Sequence, residues 1–530
     1  MAVGHRSGRP ALLPVLTNVC APRKSVCGAC RKATNSTQRG IPMSKQSCFP
    51  SLPQFTGQNA PSRLQCDLSD LDVEGTLPPA LEGTWYRCGP DPQHPPMFDD
   101  DLYVNGDGMM SAFRFYQGRV DYRSRYVQTE KYRAERKVGH ALFGRYRNPF
   151  TDDASVQGVD RGTANTTAFW HAGKLFALKE DSLPYVIDAD TLATHGRHTF
   201  GDTLRSQTVT AHPKVDPVTG EWIFFGYEAS GLASRDVAFC VANAEGALIR
   251  EDWFKVPFAS FQHDFAVTRD YVVFPVCPTI ADLDRMKAGG AHWEWDASQP
   301  TYVAIVPRQG SIDGIRWFKG PACNVFHVIN GFNEGTTVYV DLCVSKRNAF
   351  PGIADVSGAP FNAEEGAPFL TRWTFNLAAD GETFESRVLS PLPGELPRID
   401  DRHAFEATGA VFYGALDIER SQLVAGPQGL GANTLARLDA RTGALQTLYL
   451  DNHTTFQEPQ FVPAGDATDE GYLLVVVDHH DAGNGSVLVL DAAQIDAPPI
   501  ARIRLPMRLR DAFHGTWVPH AVRNAPVALF

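Results

Sequence analysis

Apolar residues along the chain gather in short runs and do not recur at helical spacing. Trp222-Ile-Phe-Phe-Gly-Tyr227, Tyr271-Val-Val-Phe-Pro-Val276 and Tyr302-Val-Ala-Ile-Val-Pro307 are β-branched and aromatic. So are the runs at 337–342, 410–415, 472–478 and 486–491. Turn formers punctuate them, such as Pro213, Asp216, Pro217 and Gly220 ahead of the first. Side chains of this kind fit a pleated, half-buried surface, and the punctuation reads as tight connections. Amphipathic helical spacing is confined to 130–143 and a stretch near 280–287. The pattern predicts one large all-β domain from about residue 65, with no linker inside it. A sandwich rarely absorbs that much chain, whereas a propeller does so by radial repetition. No strict repeat of about 40 to 50 residues is visible, so the pattern alone supports a large all-β fold and stops short of a propeller.

Composition changes this picture in two places. A length of 530 residues would suggest three or four domains at roughly 150 each, a prior that large β folds often break. The 43% hydrophobic content excludes global disorder. No apolar run reaches the roughly 18 residues of a spanning helix, which predicts a soluble globular protein. The net charge of -11 argues against a nucleic-acid partner, since phosphate binding needs clustered basic charge.

That charge is unevenly spread. Nine basic residues and no acidic one precede Asp67, leaving 40 basic and 60 acidic residues from there on, a net charge of -20. Six of the ten cysteines also fall within the first 88 residues. Residues 1–42 read as a disordered extension, as an Arg-rich transit segment, or as translation from upstream of a start at Met43. Cys27-Gly28-Ala29-Cys30 has the spacing of a metal knuckle but lacks a second pair. Residues 43–530 then form a single domain. Cys240, Cys277, Cys323 and Cys343 sit in apolar runs and read as reduced thiols, which suits the cytoplasm unless the first 42 residues target an organelle.

Four of the sixteen histidines sit beside strand-forming runs: His212, His263, His327 and His514. Their separations of 51, 64 and 187 residues exclude a zinc finger or a helical His-Glu-x-x-His site. Taken singly, each reads as a satisfied core residue. Taken together they suit a radial fold whose inner strands each send one imidazole to a shared axis. Imidazole accepts zinc, copper, iron and nickel alike, so the ligand set does not choose the metal.

These contexts resemble the carotenoid cleavage oxygenase family over roughly residues 50 to 525. The resemblance includes Gly83-Thr-Trp-Tyr-Arg-Cys-Gly-Pro90, Asn105-Gly-Asp-Gly-Met109, the four histidine contexts and His514-Gly-Thr. It implies a seven-bladed β-propeller with a helical and loop cap over the active-site face, and ferrous iron held by the four histidines. It further implies that Glu180, Glu395 and Glu458 orient the histidine rings, and that Thr166 crowds one coordination position. One departure is Asn330-Gly-Phe-Asn-Glu334, where the family has an aromatic and two glutamates after Asn-Ala. Asn333 is expected to alter the support near His327.

Within the family the chain looks most like the lignostilbene dioxygenases and isoeugenol-cleaving enzymes. The supporting runs are Ala141-Leu-Phe-Gly-Arg-Tyr-Arg-Asn-Pro-Phe-Thr-Asp-Asp153, Thr163-Ala-Asn-Thr166 and Ile315-Arg-Trp-Phe-Lys319. The resemblance implies cleavage of the double bond of a phenolic stilbene or phenylpropenoid by iron and dioxygen, giving two aldehydes. It implies no flavin or nicotinamide, and a monomer or homodimer. Lys131 in Thr129-Glu-Lys-Tyr132 is expected to contact the para-hydroxyl, since a cation beside a phenol favours phenolate. An exposed helix lysine is the plainer reading of the same residue. Phe98 stands where a partner tyrosine is expected, with Tyr103 nearby, and Tyr103 and Phe332 are candidates to stack on a planar substrate. Alternatives are side-chain cleavage of isoeugenol to vanillin, cleavage of a carotenoid or apocarotenoid, and a propeller that binds ligands without chemistry.

Overall fold

The computed structural model describes residues 48–420 and 432–523, so the Cys27–Cys30 knuckle and the first 42 residues lie outside the described residues. Strands Trp222–Tyr227, Tyr271–Val276 and Ala410–Ala415 have the bounds that their apolar runs predict. The two helices are shorter than their spacing suggests, at Glu130–Val138 and Leu283–Lys287. Gly139 stops the first in a left-handed conformation, at φ 79°. The second cannot begin at Ile280, which pairs with Glu294 in a small sheet; Asp282 caps the helix by accepting from the Arg285 N–H.

The strands arrange as seven antiparallel blades. The first has His514–Pro519 innermost, followed outward by Gly83–Pro90, Gly108–Tyr116, Arg119–Tyr126 and Cys66–Leu68. The second runs outward from Thr167–His171, the third from Lys214–Val215 and the fourth from Ala266–Val267. Asn324–Glu334 opens the fifth. Its outer strand, Glu385–Arg398, is long enough for its C-terminal half to start the sixth, where Glu395 pairs with Gly414. The seventh spans Thr454–Phe456 to Ala501–Arg504 and takes Val73–Gly75 on its edge. Both ends of the described chain therefore close the ring. The early strand Val73–Gly75 pairs with the last blade, and the late strand His514–Pro519 pairs with the first.

Apolar faces between blades fuse them. Between the second and third blades, Phe169, Phe176, Phe200, Trp222 and Phe224 form one aromatic cluster. Each large apolar side chain removed from water contributes about 1.5–3 kcal/mol toward holding neighbouring blades together. Long connections at 91–107, 127–166, 277–300 and 346–368 rise over one face and carry the short helices and the small sheet at 279–281, 293–295 and 354–355. This is the cap. Among the described residues no helix is long and apolar enough to cross a membrane.

Candidate metal centre

Every blade sends one chemically active side chain toward the axis. His514, His212, His263 and His327 stand at or beside the innermost strands of the first, third, fourth and fifth blades. Glu180, Glu395 and Glu458 come from the second, sixth and seventh. One ring nitrogen from each histidine lies within 4.8 Å of the others. The Nε2 atoms of His212 and His263 are 2.8 Å apart, and those of His327 and His514 are 3.2 Å apart.

Carboxylates fix the outer nitrogens. His327 Nδ1 donates to Glu395, and His514 Nδ1 donates to Glu458 at 2.7 Å. With those protons placed, the Nε2 atoms of both rings present bare lone pairs to each other. Burial, and the cost of adding charge beside the other rings, lowers His212 well below the usual imidazole range and brings His263 down to about 4. His514 is lowered by burial as well. His327 moves the other way, because Glu395 outweighs burial. Three rings are held neutral, and on the fourth a divalent cation takes the place of the proton that Glu395 favours, so these residues fit a bound metal ion.

Support around the ring is unequal. Glu180 Oε1 is 3.8 Å from His263 Nδ1, too long for a hydrogen bond, and that ring is held instead by stacking on Phe326 with centroids 3.9 Å apart. His212 Nδ1 is 3.9 Å from Asp264, again beyond hydrogen-bond reach; that carboxylate accepts instead from Lys214, Phe265 N–H and Val328 N–H. Neither Phe326 nor Asp264 stood out in the sequence, although each directly adjoins a histidine. We predict that Glu395→Gln weakens metal affinity about 10–100-fold, while Asn333→Glu leaves it within about twofold. Chelator competition measures both. Asn333 lies at the far end of its strand and bonds Asp270 at 2.7 Å, away from His327.

An apolar cavity of about 120 Å³ reaches His263, His327 and His514 from the cap side. Phe261, Trp293, Phe326, Phe350, Phe456 and Phe513 are among the aromatic side chains of its wall. Thr166 and Tyr103 also line it; the Tyr103 hydroxyl donates to the Asp511 carbonyl at 2.9 Å. Lys131 and Phe98 are not among the lining residues. Lys131 is buried, and its ammonium sits between Asp107 at 3.1 Å and Glu135 at 2.8 Å. Glu135 in turn accepts from the N–H groups of Leu142 and Phe143, so this ion pair pins the cap. Phe98 packs under the Arg145 guanidinium, and Phe332 stacks on Tyr339 within the sheet.

A different lysine lines the cavity. Lys179 Nζ donates to the Tyr146 hydroxyl at 3.3 Å and lies 3.7 Å from Glu180 Oε1. Burial alone would depress this ammonium, but Glu180 and Tyr146 outweigh it and hold it charged. Burial pushes the Tyr146 phenol up to about 12, so it stays neutral. A signal was present in the sequence: Lys179 closes an apolar strand run and directly precedes Glu180, where an unpartnered charge would be costly.

Four histidines on the axis of a seven-bladed propeller, reached by an apolar cavity, make a site that could hold a metal ion beside an organic substrate. The chain belongs to the carotenoid oxygenase family: the family described as retinal pigment epithelial membrane protein matches residues 59–519. Lignostilbene-alpha,beta-dioxygenase isozyme III of Sphingomonas paucimobilis is 41% identical over 480 residues, covering 88% of this chain and 97% of that protein. Isoeugenol monooxygenase of Pseudomonas nitroreducens is 40% identical, covering 88% and 98%. The crystal structure of Pseudomonas brassicacearum lignostilbene dioxygenase superposes with a TM-score of 0.86 at 40% identity, covering 89% of this chain and 99% of that one.

Proposed function

We propose that this protein is a ferrous-iron dioxygenase that cleaves the double bond of a phenolic stilbene or phenylpropenoid with dioxygen, giving two aldehydes. The observation that carries this reading is the Lys179–Tyr146 pair in an aromatic cavity that ends on the histidine tetrad. Relatives named for lignostilbene and isoeugenol support the same substrate class. His212, His263, His327 and His514 would hold the iron, which supplies activation of dioxygen when bound.

The protein's own groups do the rest. A substrate phenol enters the aromatic cavity and places its hydroxyl at Lys179 and Tyr146. The fixed ammonium stabilises phenolate, strongly so in a site from which the aromatic wall excludes water. Phenolate charge delocalises through the ring onto the conjugated alkene and makes it electron-rich. Glu180 Oε1 stands between the two parts of the site, 3.7 Å from Lys179 Nζ and 3.8 Å from His263 Nδ1, so substrate and metal regions share one carboxylate. The role expected of Lys131 thus passes to Lys179, because the Lys131 charge is already neutralised by Asp107 and Glu135. Thr166 is assigned to crowd a coordination position, and Tyr103 to form the floor on which the substrate lies. Cys66, Cys88, Cys240, Cys277, Cys323 and Cys343 are in no disulfide, which suits a reducing cytoplasm.

The test is a matched assay of 4-hydroxystilbene, its O-methyl ether, isoeugenol and an apocarotenal, with aldehydes detected by chromatography. Cleavage of the phenol at about 100 times the rate of the ether is expected, on the scale of losing a buried charge-assisted contact. Equal rates for phenol and ether would remove the phenolate step, and preference for the apocarotenal would replace the substrate class.

A further inference from the structure

The tetrad is reached from two sides, and the reaction described above uses only one. A second cavity, of about 230 Å³, opens onto His212, His327 and His514 from the face opposite the cap connections. Its wall is made by inner-strand segments around the ring, including Ala266–Val267, Lys214–Val215 and the residues next to His514. It is therefore the axial channel of the propeller. Unlike the aromatic cavity it is lined with ionic side chains: Asp264, Asp401, Glu458, Lys214 and Arg398. Their side-chain exposure falls along the way in, from 76% at Asp401 to 23% at Lys214, 17% at Arg398 and 5% at Glu458.

We propose that this axial channel is the passage by which the metal ion enters the tetrad, leaving the aromatic cavity to the organic substrate. The proposal rests on the tetrad being a metal centre. A hydrated divalent cation loses far too much hydration energy to cross an aromatic cavity, whereas a wide polar channel lets it keep water and meet carboxylate oxygens. The two cations in the wall are tied back. Lys214 Nζ lies 2.8 Å from Asp264, and Arg398 lies 3.6 Å from both Asp401 and Glu458. An arriving ion thus meets three carboxylates against two bases, and one of the three, Glu458, also holds His514. Dioxygen, being apolar, needs no such lining.

Metal uptake by the apoprotein tests this without any turnover. Cobalt(II) is mixed with apoprotein in a stopped-flow instrument, and its ligand-field absorbance reports arrival at the imidazoles. Thr516→Trp, which fills the channel, is expected to slow uptake at least about tenfold while the final stoichiometry stays at about one cobalt per chain. Asp401→Lys, at a position whose side chain is 76% exposed, is expected to slow it about fivefold and to weaken its dependence on salt. Ile353→Trp, which narrows the aromatic cavity, should leave the uptake rate within about twofold of the parent. Unchanged uptake in both channel variants overturns the proposal, as does slowing by Ile353→Trp alone. Failure of the parent apoprotein to bind cobalt would instead overturn the metal centre itself.

Discussion

His327→Ala is expected to leave the protein without its metal: content falls from about one ion per chain to about none, and alkene cleavage disappears with it. His327, like His212, contacts all the other rings, its centroid lying 5.0 Å from His212, 5.1 Å from His263 and 4.9 Å from His514. It is also the ring with the strongest carboxylate support, so its loss removes a ligand and strands Glu395. A buried acceptor deprived of its donor costs about 1–3 kcal/mol, and more when it is charged. The variant should therefore melt at lower temperature as well as lose metal. These two effects separate in the double variant His327→Ala/Glu395→Gln, which removes the stranded charge: stability returns in part, and metal binding does not. Elemental analysis and calorimetry read the two outcomes. Full metal content in His327→Ala would exclude the ring from the centre.

What the chain disclosed in advance follows from the range of each interaction. Strand runs such as 222–227 and 410–415 are local, so their bounds could be read from side-chain type. The ring was not readable, because its closure depends on pairing residues more than 400 positions apart, Val73 with Ile503 and Gly83 with Pro519. The blades are too irregular to repeat in sequence: one strand serves two of them, and the first takes its inner strand from the far end of the chain. The histidines were legible as a set because their strand contexts match a family pattern, and Glu395 and Glu458 do bond His327 and His514. The support of the other two rings was not, since Phe326 and Asp264 act across blades and carry no local signature. Lys131 misled for a physical reason. A lysine on a short helix next to a tyrosine looks like a substrate contact until Asp107, twenty-four residues earlier, is seen beside it.

Lys131 and Lys179 should consequently fail in opposite ways when each is changed to methionine. Lys179→Met keeps the length and apolar stem of the side chain and deletes only the ammonium facing the cavity. We expect metal content close to the parent, a melting temperature lowered less than in Lys131→Met because Glu180 loses its nearest cation but retains Tyr146 at 3.5 Å, and a fall of about 100-fold or more in kcat/KM on 4-hydroxystilbene. The loss should be much smaller on the O-methyl ether, which has no phenolate to stabilise. Tyr146→Phe removes a neutral partner and should cost about tenfold on the phenol. Lys131→Met instead leaves Asp107 and Glu135 facing each other in a buried site, a change of about 3–5 kcal/mol against the fold. Its signature is a lower melting temperature and a loosened cap, because Glu135 also carries the backbone that leads to Tyr146. Whatever folded Lys131→Met remains should keep the parent's preference for phenol over ether. If that preference collapses in Lys131→Met and survives in Lys179→Met, the two lysines have been assigned the wrong way round.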